Sequence, residues 1–247
     1  MAKNPAARKH EKELRRRAAL AERRKTEALT NSLSARVARA AQMPVQHCLI
    51  SGNLEAMGMG YLVLARGTSK RDVMLATFLL DPYCLGAKNG FARELIGPEV
   101  DHYLDKLDAS TPMVPIEPAE ARKYLRDLIE WSRGLGFEPH KDAVRAEPLF
   151  GDIDADSSTA TFVFGKDGKP LYMPGPDDSP AVVRRAMGLL GKSAGEGNFD
   201  FILPIDGAGE LLNLPDPDDD DDDDDDSLTI DGVAEPEQPA IAKEPAP

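Results

Sequence analysis

The stretch YLVLARGTSKRDVMLATFLL, residues 61–80, decides the fold. It contains two runs of β-branched and apolar residues, 61–66 and 73–80, separated by the polar, glycine-containing link GTSKRD. Such a pair of runs predicts a β-hairpin. The second run is apolar at seven of its eight positions, which predicts a central strand that is buried on both faces. A shorter run, VQHCLI at 45–50, predicts another strand in front of the hairpin.

Helices are predicted further along the chain. Three segments place apolar residues at helical spacing behind a proline in the first turn: 97–107, 117–136 and 179–191. A second hairpin is predicted from TATFVF and LYM, with Asp167 and Gly168 at its turn. FDFIL, at 199–203, predicts a last strand. Because strands do not alternate strictly with helices, the sequence predicts an α+β fold: a mostly antiparallel sheet built from hairpins, with helices on one face.

Charge divides the chain into three parts. The chain has 247 residues and a formal net charge of -13. Residues 1–42 carry twelve Lys or Arg against four Glu, whereas residues 215–247 carry fourteen acids, nine of them consecutive Asp, against one Lys. The sequence therefore predicts a basic helical arm at 1–42, an α+β domain at 43–214 and a disordered acidic tail at 215–247.

Targeting signals and cysteine content indicate the compartment. The N-terminus is charged throughout, without the apolar stretch of a signal peptide, and no window approaches 18 consecutive apolar residues. Cys48 and Cys84 are the two cysteines, which favours a reducing compartment over a disulfide-bonded, secreted fold. We expect a cytoplasmic protein with no membrane partner.

The basic arm carries the strongest functional signal. Residues 7–40 lack Gly and Pro, and their composition favours a helix that presents cations around its whole circumference. The predicted contact residues are Arg8, Lys9, Lys12, Arg15, Arg16, Arg17, Arg23, Arg24 and Lys25. Without aromatic residues to stack on bases, binding to RNA, DNA or a ribonucleoprotein should be sequence-independent. An acidic protein partner, an intramolecular contact with 215–247, and a solvated helix with local Glu–Arg pairs are the alternatives.

The leading hypothesis is therefore a non-enzymatic cytoplasmic binding or adaptor protein. Its arm contacts nucleic acid or an acidic partner, and the acidic tail competes for the arm at high effective concentration. The alternative is a hydrolase- or nuclease-type enzyme, with Asp81, Lys88, His140 and Asp142 in one cleft.

The stretch DPYCLGAKNG, at 81–90, bears on that alternative. Cys84 would need to be a thiolate beside a base such as His47 or Lys88 to act as a nucleophile. The structural interpretation is a turn that takes the chain off its central strand, with Asp81 bonded to backbone N–H groups and Cys84 buried. For His140 and Asp142 the structural interpretation is a helix cap.

No metal or cofactor is predicted. A zinc site from His47, Cys48, Cys84 and His140 is disfavoured, because neighbours on a strand point to opposite faces. GLLGKS, at 188–193, differs from a phosphate-binding loop, since Ala186 stands where that pattern needs Gly and the stretch ends a helix rather than opening one.

Several segments of the body carry a resemblance. They are VMLATFLLDPYCLGAK (73–88), LGFEPHKD (135–142), FVFGKDGKPLYMPGPDD (162–178) and GEGNFDFIL (195–203). Together they resemble an uncharacterised family of bacterial proteins, over roughly residues 43–205, with D-x-Y-C-L-G-x-K at 81–88 as its most particular mark. The resemblance implies a shared fold unit and carries no activity to Asp81, Cys84 or Lys88.

Overall fold

Five strands form one antiparallel sheet in the order β4-β3-β2-β1-β5. A computed structural model describes residues 16–17, 32–69, 72–175 and 178–202. The strands of this sheet are β1 (Val45–Ser51), β2 (Gly60–Ser69), β3 (Asp72–Asp81), β4 (Gly86–Leu95) and β5 (Met113–Pro115). The helices are α1 (Leu33–Ala40), α2 (Leu54–Met57), α3 (Gly97–Ser110), α4 (Pro118–Gly134), α5 (Lys141–Ala146) and α6 (Pro180–Ser193), with 3-10 turns at Glu147–Phe150 and Ala155–Ser157. Strands β6 (Leu171–Tyr172) and β7 (Asp200–Phe201) form a separate pair.

The predicted hairpin at 61–80 is confirmed as β2 and β3. Leu64 lies opposite Ala76 and Tyr61 opposite Leu79. Residues 73–81 of β3 are all buried, and the strand has a neighbour on each side. The α+β prediction with a mostly antiparallel sheet is also confirmed.

Helices cover both faces of this sheet rather than the single face predicted. On one face, Leu64, Ala76 and Phe78 pack into a core with α1, α4 and α5. On the other, Val63 and Leu75 pack with residues of α3. The physical reason is that strands apolar on both faces need both faces covered, so one layer of helices cannot bury them.

Strand β4 is absent from the sequence prediction. The chain leaves β3 at Asp81, turns through Pro82–Leu85 and returns antiparallel as β4, with Thr77 opposite Phe91. The stretch interpreted as a turn off the central strand is therefore a hairpin turn plus the start of a strand. β4 also carries Gly, Lys, Asn and Glu, which strands disfavour, and it is held by pairing to β3 and by α5 packed over it.

The predicted second hairpin is wrong in its first strand and in its pairing, and right in its turn and in its second strand, which is β6. Asp167 and Gly168 both have positive φ, at 54° and 81°, and Lys166 bridges Lys169. Residues 159–164 form no strand, and the Gly165 and Leu171 N–H groups that follow them donate to carbonyls of the β3–β4 turn. β6 pairs instead with β7, in parallel.

Helix α1 belongs to the predicted arm at 1–42 but packs on the body, so the name arm is kept below for residues 1–31, which precede it. Its first turn is capped by Ser32, whose hydroxyl accepts the Ala35 N–H, and its Val37 and Ala40 side chains are buried in the core. Buried Arg66 of β2 holds the junction, donating to the Met43 carbonyl just after the helix and to the Phe150 carbonyl across the core. The acidic tail at 215–247 and most of the arm lie outside the described residues.

Candidate functional site

Asp81 closes the β3–β4 turn from inside the protein. Its side chain is 1% exposed, and Oδ1 accepts the backbone N–H groups of Tyr83 at 3.0 Å and Cys84 at 2.9 Å. Burial raises the pKa of the Asp81 carboxyl to about 6, although the N–H donors and the Lys88 ammonium favour its ionised form. The Asp81 carboxyl thus accepts the hydrogen bonds that hold the turn, and its pKa is raised toward neutral pH.

Lys88 and His140 line a narrow cleft next to this turn. Strand β4 supplies Lys88. His140 is held beside the strand because its backbone N–H donates to the backbone carbonyl of Ala87 at 2.9 Å. The cleft has a free volume of ≈ 20 Å³, room for about one water molecule. The full lining is Leu85, Ala87, Lys88, Phe137, Glu138, His140, Tyr172, Val182 and Ala186.

His140 also caps helix α5. Its Nδ1 accepts the Asp142 N–H at 3.2 Å, so that nitrogen carries no proton in this arrangement. The Asp142 carboxylate accepts from Arg145 at 2.8 Å and lies 3.9 Å from His140 Nδ1. The geometry matches the capping interpretation more closely than that of a general base oriented by a carboxylate.

The predicted enzyme residues come together only in part. The Lys88 ammonium acts electrostatically on Asp81, and Lys88 and His140 line one cleft, whereas Asp142 is 40% exposed and accepts from Arg145. Cys84 packs in a second core with Phe137 and Tyr172, where burial raises the pKa of its thiol above the usual range. A cleft this small does not accommodate a hydrolase substrate in the conformation described.

Metal ligation has little support in the described part of the chain. There, no group of three or more His, Cys, Asp or Glu residues is placed to hold a metal ion. His47 and Cys48 are neighbours on β1, and burial raises the pKa of the Cys48 thiol to about 12.

Several cleft residues had no counterpart in the sequence prediction. Phe137 precedes His140 by three positions, but Tyr172 comes from β6 and Val182 from α6, far along the chain. No local pattern connects these positions, since the connection is made by tertiary packing. A predicted strand at LYM was the sole hint that Tyr172 would be buried.

The predicted nucleic-acid contacts are described at two positions. Arg16 and Arg17 are helical and exposed. The remaining seven predicted contact residues, from Arg8 to Lys25, lie outside the described residues. Nearer the body, Arg36 of α1 donates to the Glu94 carboxylate of β4 at 2.9 Å, which adds a surface ion pair to the apolar docking of α1.

Comparison of the chain with protein-family models, with curated proteins and with solved structures finds no match. Within the described residues, no helix is both long and apolar enough to cross a membrane. Function therefore has to be inferred from the charge layout and from the geometry given above.

Proposed function

We propose that the protein is a non-enzymatic cytoplasmic binding protein whose basic arm contacts RNA or DNA without regard to sequence. One observation carries the proposal. Residues 1–31 hold ten Lys or Arg against four Glu and lead directly into helix α1, which is packed on the body. A dense cationic segment tethered to a folded domain is the arrangement that neutralises phosphates by counterion release.

The net charge of the body supports the assignment of nucleic-acid binding to the arm. Residues 43–214 carry a net charge of -8, so the body repels a polyanion and adds no general attraction. Arg16 and Arg17, helical and exposed, are the described members of the contact set. The arm is therefore the part of the chain that supplies the affinity.

The acidic tail acts as an intramolecular competitor. Its nine consecutive Asp residues at 218–226 offer the arm a polyanion on the same chain, at the high effective concentration that tethering gives. Nucleic acid must displace the tail, which weakens binding to low-affinity sites. Removing 215–247 should therefore tighten binding without any new contact.

The test is a salt series with labelled single-stranded RNA and double-stranded DNA, read by fluorescence anisotropy. The variant R15Q/R16Q/R17Q should bind more weakly and lower the slope of log K against log salt by up to about three. The control K106Q/K141Q/K192Q makes the same change in net charge at exposed positions of the body. It should leave the slope unchanged.

Equal effects of the two triple variants would contradict the proposal, because net charge rather than the arm would then explain the binding. If deletion of 215–247 leaves the affinity for nucleic acid unchanged, the tail does not compete for the arm. If nucleic acid fails to bind while an acidic protein or the tail does bind the arm, the arm's partner is a protein surface.

A further inference from the structure

Residues 159–164, TATFVF, form a surface segment whose backbone is unpaired. Within the described part of the chain, the N–H groups of 161–164 and the carbonyls of 159–164 make no hydrogen bond. The Ala160 N–H reaches only the nearby Ser158 hydroxyl, at 3.3 Å. Threonine, valine and phenylalanine favour strands, and an unpaired stretch of this composition is a template for a further strand.

The segment is already held in a strand-like arrangement. Side chains at 159, 161 and 163 are exposed, with Val163 at 76%, whereas those at 160, 162 and 164 are half-buried. The ring of Phe162 lies 4.8 Å from that of Tyr124, and the ring of Phe164 lies 5.6 Å from that of Trp131, measured between centroids. This alternation is that of a β-strand with one covered face, so pairing requires little reordering.

Charges at the two ends of the segment indicate what pairs with it. Asp154 and Asp156 precede the segment, and the exposed Lys166 follows it. Antiparallel alignment of two copies puts the acidic end of one copy against the basic end of the other. Parallel alignment would put like charges together. The segment is therefore complementary to a second copy of itself.

Side-chain size sets the register of such a pair. An antiparallel pair centred on Thr161 places Phe162 of one copy opposite Ala160 of the other on the covered face, so a large ring meets a methyl group. On the exposed face, Val163 lies opposite Thr159, which pairs two β-branched side chains. The same register brings Lys166 level with Asp156 of the other copy.

We propose that two copies of the chain associate by antiparallel pairing of residues 159–164 about a two-fold axis at Thr161. The two-fold axis uses the same segment on both copies, so the assembly closes as a dimer. Because the segment is short, the interface is small and the dimer forms with micromolar affinity. The dimer carries two basic arms, and their joint binding to one nucleic acid is the single consequence that rests on the function proposed above.

Sedimentation velocity of the full-length protein over a concentration series tests the dimer. Wild type should pass from monomer to dimer. T161K and T161E should each weaken self-association by about tenfold or more, because the axis sets two like charges opposite each other. A mixture of T161K and T161E should regain the dimer as a heterodimer. Thr161 is exposed, so both variants should fold, and the control T68K, at an exposed position of β2, should associate as wild type.

Hydrogen exchange of the amides at 161–164 locates the contact. These amides should exchange rapidly in dilute protein and slowly at concentrations where the dimer forms. A monomer at every concentration, association of T161K or T161E equal to wild type, or no recovery in their mixture would overturn the proposal. Protection that does not depend on concentration would also overturn it, because the segment would then be covered within one chain. Neither measurement involves nucleic acid, so the dimer and the proposed function fail separately.

Discussion

Replacing Asp81 by Asn should stabilise the protein at neutral pH. The carboxyl has a pKa of about 6 in the fold against an ordinary value of 3.8, mainly because it is buried. At about 1.4 kcal/mol per pKa unit, ionising this buried group costs the folded state about 3 kcal/mol. Because that shift already includes the turn N–H donors and the Lys88 charge, it is the net penalty at this position.

The sign follows from proton binding. Between the two pKa values the folded state holds the proton more tightly than the unfolded state, so the free energy of unfolding falls as pH rises from about 4 to about 6. Above that window both states are ionised and the penalty persists. Asn is neutral throughout and keeps its Oδ1 for the Tyr83 and Cys84 N–H groups, so D81N should lose this pH dependence and gain up to about 3 kcal/mol at neutral pH.

Urea unfolding of wild type, D81N and the control D105N measures this effect, over a range from about pH 4 to about pH 8. Asp105 is exposed on α3, so its substitution should leave the pH profile parallel to wild type. The difference between D81N and wild type should grow with pH and then level off. A difference that stays flat, or a D81N protein less stable than wild type at neutral pH, would refute the reasoning.

Three further substitutions test the framework. Arg66→Met should destabilise by about 3 kcal/mol or more in urea unfolding, because buried backbone carbonyls lose a charged donor; wild-type stability would contradict the junction described for α1. Gly58→Ala should cost about 2 kcal/mol or more, since φ is +70° and a new Cβ would lie 2.1 Å from the Tyr83 ring. Its matched control Gly188→Ala, in open space within α6, should gain about 1 kcal/mol; equal effects of the two would refute the backbone argument. Cys84→Ala should lower the thermal midpoint of unfolding and leave nucleic-acid binding intact. Loss of nucleic-acid binding at an unchanged thermal midpoint would instead make the thiol functional.

The sequence was most informative where one strong local pattern decided the structure. Residues 61–80 predicted the β2–β3 hairpin because two apolar runs flank a polar link, and Pro98, Pro118 and Pro180 each mark the start of an observed helix. The second layer of helices followed physically from the apolar character of β3, and the prediction of one covered face did not use that information fully.

Strand β4 and the failed second hairpin were beyond local patterns. The sequence GAKNGFAREL has poor strand propensity and pairs because β3 presents a buried edge that needs a partner. Conversely, the run 159–164 has good propensity, but Phe162 and Phe164 pack against Tyr124, and nearby N–H groups bond to the β3–β4 turn instead. Tertiary competition decided both outcomes.

The candidate cleft was predictable in its residue types and not in its shape. Asp81, Lys88 and His140 stood out as chemically active residues, and the structure places Lys88 and His140 on one cleft, with Asp81 near Lys88. Their separation, the walls from β6 and α6, and the small free volume depend on long-range packing. Asp142 pairs with Arg145 three positions along α5, a helical spacing that the sequence alone could have indicated.

The most direct test of the central claim is the affinity of the full-length protein and of a form lacking residues 1–31 for RNA and DNA across a salt series. The deletion stops before Ser32, because α1 beyond it is capped by that residue and buried in the core. The account predicts tight, salt-steep binding by the full chain and loss of both affinity and slope without the arm. Equal affinity and slope in the two forms, or no binding by the full chain even at low salt, would contradict it.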